Sequence, residues 1–155
     1  MDELATASAH GDPAFPGAIH HVELWVPSLT RAAHSWGWLL GRLGYQPYQQ
    51  WQHGRSWRLG PSYIVLDQSP ALRPDRAADR LGPGMNHLAF HAPSRQAVDQ
   101  IAAAAPAHGW TLLFVDRHPF AGGPQHYAAY LEDDDGFEAE LVAPPGADAG
   151  LTLPA

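Results

Sequence analysis

The chain has no cysteine and no lysine. The first absence removes disulfides, thiolate nucleophiles and thiolate metal ligands together. The second removes Schiff-base chemistry on a side-chain amine. All nine basic residues are arginine and stand against sixteen acids, for a formal charge of -7. A chain this acidic lacks the concentrated basic field that a nucleic-acid backbone or an anionic membrane surface requires. No apolar run approaches the roughly 20 residues that cross a bilayer. The opening MDELATASAHGDPAFPG has neither a basic stretch nor an apolar one, so no secretion signal is expected and the cytoplasm is the expected compartment.

What remains is 155 residues of which 45% are hydrophobic and 16% charged, enough for one ordinary domain with a real core. Internal repetition organises it. HVELWVPS at 21–28 returns as HLAFHAPS at 87–94, with His21 on His87, Leu24 on Phe90, and Pro27-Ser28 on Pro93-Ser94. After each copy comes a segment free of internal proline and then a glycine-aromatic pair, Gly44-Tyr45 and Gly109-Trp110.

Alternation makes 19–26 and 85–91 strands, and Ser28 and Ser94 are candidate N-caps of helices over about 29–41 and 95–105. Further strands follow at about 45–51, 55–59 and 62–67, and again at 110–115, 126–132 and 137–142. The expected organisation is an N-terminal arm (1–18), one domain over 19–143, and a C-terminal tail (144–155). Within the domain lie a first module (19–68), a proline-rich linker (69–84) and a second module (85–143). The fold class is α+β, built from two βαβββ modules.

Side chains alternate faces along a strand. With Val22, Leu24 and Val26 turned to the core, His21 faces the other way, as does His87 in the second module, while His20 falls on the core-side parity. In GFEAELVA the same logic puts Glu138 and Glu140 on that opposite face. Two histidines and a carboxylate are a sufficient ligand set for a divalent ion with open positions. The competing reading makes the histidines ordinary strand residues and the glutamate a surface group. Tyr130 is a candidate donor to a developing oxygen anion, or simply a wall residue. His126 and His91 are candidate acid-base groups. Arg55 and Arg58 are candidate partners of a ligand carboxylate, and Trp25, Trp51 and Trp57 candidate walls of an apolar cleft. The loop 116–125, with Gly122 and Gly123, is placed to fold over that cleft.

The stretches HHVELWV, GMNHLAFH and YAAYLEDDDGFEAELVAP resemble the three signature regions of the vicinal oxygen chelate superfamily, the glyoxalase, bleomycin-resistance and extradiol-dioxygenase group. The resemblance implies that the modules form a curled mixed-sheet cleft, a glyoxalase-like fold, with one divalent metal ion (Fe, Zn, Mn or Ni) held by His21, His87 and Glu140. It implies a metal-dependent lyase, isomerase or dioxygenase acting on a small substrate chelated through adjacent oxygens, with Tyr130, His126 and His91 as catalytic candidates, and a homodimer. Departures narrow this. The stretch SYIVLDQ lacks the fourth, glutamate ligand of glyoxalase I, and Asp67 is shorter. No clear match exists for the acid-base histidine of catechol-cleaving members. The alternative within the same group is a metal-free small-molecule binding or drug-sequestration protein.

Overall fold

The computed structural model describes residues 16–146, so most of the arm at 1–18 and of the tail at 144–155 lies outside the described residues. The elements run β1 (His21–Trp25), α1 (Leu29–Arg42), β2 (Gln46–Trp51), β3 (Gly54–Leu59) and β4 (Ser62–Asp67), then β5 (Leu88–His91), α2 (Arg95–Ala104), β6 (Trp110–Leu112), β7 (Ala128–Asp133) and β8 (Glu138–Val142). A single 3-10 turn, Ala105–His108, extends α2 and stops at Gly109, whose left-handed φ of 80° suits a residue without Cβ. Residues 69–84 hold no helix or strand.

Each half makes one four-stranded mixed sheet, β1-β4-β3-β2 and β5-β8-β7-β6. The opening strand of each half lies parallel to the last, and the remaining pairs are antiparallel. Two βαβββ halves with flanking helices are therefore present, but neither sheet is strongly curled, which corrects the expected curled cleft. Strong curvature comes from bulges and glycine kinks repeated across a sheet. Here β3 on β4, and β7 on β8, run residue for residue without interruption, and the register shift lies between Pro47 and Gln50 on the edge strand β2.

The helices form where capping and periodicity agree. Ser28 Oγ accepts from the Arg31 N–H and Ser94 Oγ from the Ala97 N–H, so each serine satisfies a donor that the first helical turn leaves unpaired. Trp36, Leu39 and Leu40 of α1 are fully buried, as are Val98 and Ile101 of α2, and they meet Leu24, Leu66, Leu131 and Leu141 from the sheets in one continuous core. Polar bonds cross that core. Trp36 Nε1–H donates to Asp133 Oδ2 at 2.9 Å and Trp110 Nε1–H to the Ser35 carbonyl at 3.0 Å. Asp133 also accepts from the backbone N–H groups of Asp135 and Phe137; burial nonetheless pushes its carboxyl above the ordinary value. Among the described residues no helix is long and apolar enough to cross a membrane.

Candidate functional site

The candidate residues divide between the face of each sheet that packs on the helices, where Trp57 lies, and the face turned away from them, where Glu140 and Tyr130 lie. Glu140 sits on β8 opposite Tyr130 of β7 and Ala89 of β5. It is 5% exposed, a burial that a carboxylate tolerates only when donors surround it.

The donors are present. His87 Nε2 lies 3.1 Å from Glu140 Oε2, His126 Nε2 makes a short hydrogen bond to Oε1, and Tyr130 stands opposite Glu140 in the strand register. Burial, then the bond to Glu140 and its charge, push the Tyr130 phenol up to about 12. His87 is held at its other nitrogen too, with Nδ1 2.7 Å from Asn86 Oδ1. The Asn86 amide nitrogen donates to the Arg80 carbonyl, which orients its oxygen toward the histidine.

His21 is elsewhere. It lies on β1, stacked on Tyr63 with ring centroids 4.9 Å apart, and its Nδ1 is 2.9 Å from Nδ1 of His20. His20, assigned by parity to the core side, also packs edge-on against Tyr63. Among the described residues no group of three or more His, Cys, Asp and Glu side chains is arranged to hold a metal ion. The expectation of a divalent Fe, Zn, Mn or Ni ion at His21, His87 and Glu140 is thereby corrected, and with it the metal-dependent lyase, isomerase or dioxygenase reading. The physical reason is twofold: the first histidine stacks on Tyr63 and turns its Nδ1 to His20, and both oxygens of the glutamate are already engaged by imidazole nitrogens of His87 and His126.

The remaining candidates divide. His91 ends β5 exposed, with no hydrogen bond to Glu140. Glu138 is buried beside Arg80, whose guanidinium binds Glu132 at 2.6 Å and Glu138 at 3.1 Å; burial still raises the Glu138 carboxyl. Arg80 and Asn86, which tie the linker to this cluster, carry no periodic signal and were missed from sequence. Arg55 is turned to the backbone carbonyls of Trp51 and Gly54, and Arg58 to that of Gly60 and the ring of Tyr48, so both have partners within the protein. Trp57 is a core residue packed on Gly37, whereas Trp25 and Trp51 stand on the open face of the first sheet.

The loop before β7 bends back over the cluster. A Cβ on Gly122 would meet His126 at 2.5 Å and the Tyr130 hydroxyl at 2.7 Å, so only a glycine permits this approach. Beside it opens a shallow hollow of about 450 Å3 lined by residues 122–126. The arrangement is a buried carboxylate flanked by two imidazoles, next to an open hollow. That combination serves to orient polar groups of a bound molecule.

Residues 20–130 match the profile of the glyoxalase/bleomycin resistance protein/dioxygenase superfamily. An uncharacterised Bacillus subtilis protein, YqjT, is 47% identical over 128 residues, which span 81% of this chain and 98% of that protein. The crystal structure of a candidate glyoxalase from Bacillus halodurans superposes with a TM-score of 0.79 at 44% identity, covering 83% of this chain and 96% of the other. A glyoxalase/bleomycin resistance protein from Albidiferax ferrireducens does so with a TM-score of 0.66 at 26% identity, over 82% and 98% of the two chains.

Proposed function

Because the chain belongs to the glyoxalase/bleomycin resistance protein/dioxygenase superfamily, we propose that it is a metal-free member that binds and sequesters a small organic molecule. The observation that carries this reading is that His87 and His126 occupy the two oxygens of Glu140, with Tyr130 opposite it in the register. These donors orient one another, and a ligand entering beside Gly122 meets their outer edges. On this proposal Tyr130, His126, His87 and Glu140 form the polar end of the seat, His91 stands at its exposed border, and His21 belongs to the aromatic face of the other sheet. The protein acts in the cytoplasm and as a homodimer, for which exposed Ile19, Leu81 and Val115 offer apolar surface.

The test begins with metal analysis of protein purified without chelator or added metal, and with its mass by light scattering. The expected result is far less than one equivalent of any first-row metal and the mass of a pair of chains. Isothermal titration with bleomycin, the ligand for which the superfamily is partly named, is expected to show saturable binding. Glu140→Gln should weaken that binding about tenfold, the equivalent of ~1.4 kcal/mol. One equivalent of metal, released by His87→Ala, would overturn the reading.

A further inference from the structure

The open face of the first sheet carries a row of four residues that the strand registers place side by side. Trp25 of β1 pairs with Asp67 of β4, Asp67 with Gly54 of β3, and Gly54 with Trp51 of β2. At about 4.8 Å per strand the two tryptophan backbones stand roughly 14 Å apart. The Trp51 ring closes most of that span. It lies flat across Gly54, where any Cβ would collide with it, and its Nε1–H reaches Asp67 Oδ2 at 3.3 Å. The Trp25 indole is fixed from the other side, with Nε1–H on Glu23 Oε1 at 2.8 Å. A carboxylate therefore stands between two oriented indoles, and these remain 44% and 37% exposed for Trp25 and Trp51.

That carboxylate is unfinished. Asp67 Oδ1 is buried with no hydrogen-bond partner, a costly state for a charged acceptor. The arginine nearest in the register, Arg55, points its guanidinium at backbone carbonyls instead. Indole faces attract cations, and a carboxylate pairs best with a planar group that brings parallel N–H donors. Space for the body of such a ligand exists beside Trp25. A cavity of about 620 Å3 is walled by Trp25, Leu72 and Phe137, and carries Asp75, Asp134 and Asp135 against Arg76. Its charge has the same sign as that of Asp67 and Glu23.

We propose that the row Trp25, Asp67, Gly54 and Trp51 is a binding seat for a planar organic cation bearing N–H donors, of the amidinium or guanidinium class. The N–H groups reach Asp67 as the Trp51 ring, on an edge strand, gives way, and the cation lies between the two indole faces. The seat is on the other sheet from Glu140, so it stands or falls independently of the sequestration reading above.

Benzamidine, with neutral benzamide as its near-isostere, is the probe. Titrations of the full chain are followed by calorimetry and by the indole N–H resonances of Trp25 and Trp51. Benzamidine is expected to bind saturably and shift both resonances, with benzamide at least about tenfold weaker. Asp67→Asn, which keeps the shape and removes the charge, should cost about tenfold or more while the melting temperature holds. Trp25→Leu, which removes the exposed indole face at the other end of the row, should weaken binding through a different contact. Equal affinity for benzamide and benzamidine, an unchanged affinity in Asp67→Asn, or no saturable binding of benzamidine would each overturn the proposal. None of these outcomes alters the metal content or the Glu140→Gln result.

Discussion

Glu140 and Tyr130 show how a single residue changes meaning with its neighbours. On an open strand face a glutamate is an obvious metal ligand; with a phenol and two imidazoles turned onto it, it becomes the acceptor that organises them. The consequence for Tyr130 is a dependence on pH. Its phenol is raised from 10.0 in the unfolded chain to about 12 in the fold, so its contribution to stability is fully present below 10.0 and is lost as pH rises through about 12. Urea unfolding followed across this interval should show a steeper loss of stability in the native chain than in Tyr130→Phe. Equal slopes would mean that Tyr130 ionises at the same pH in both states.

At the scale of elements, the Ser28 and Ser94 caps admit a direct check. Replacing either serine with alanine should destabilise the protein by about 1 kcal/mol, because one first-turn N–H loses its acceptor. A shift in the urea midpoint without a change of slope would show this. Both helices were legible in the sequence to within a residue at each end, since serine capping and the apolar stripe mark the same boundaries. The strands were nearly as legible, with two exceptions. The strand read at 85–91 begins at Leu88, because its partner β8 supplies register only from there, and the strand read at 110–115 ends at Leu112, two residues before Phe114 turns to a positive φ of 53°.

The site was legible in part, for a related reason. Period-two alternation puts His87, Tyr130 and Glu140 on one face, because parity is local to each strand. It does not say whether the first sheet brings His21 up to them, nor that Gly122 folds its loop onto His126. Trp25 and Trp51 were legible only as separate candidate cleft walls; their assembly into one row with Asp67 and Gly54 was hidden, because it depends on three separate registers, one of them across the irregular edge strand β2. Single-chain periodicity contains none of them.

For the whole molecule the decisive feature is that the repeated halves are joined through their interiors and not by the linker alone. Trp36 and Asp133 belong to different halves, as do Ser35 and Trp110, and Arg31 of α1 reaches Asp135 in the β7–β8 turn. The linker itself is exposed over 73–77 and includes Arg76, a site open to trypsin, whereas Arg73 is protected by the proline that follows it. A cut after Arg76 should therefore sever the chain without separating its parts. The two pieces should co-elute on gel filtration and unfold in one transition, and their separation in native buffer would show that the interior bonds are too weak. In the language of fragment complementation, the Trp36–Asp133 bond lets this duplicated chain behave as a heterodimer that happens to be tethered.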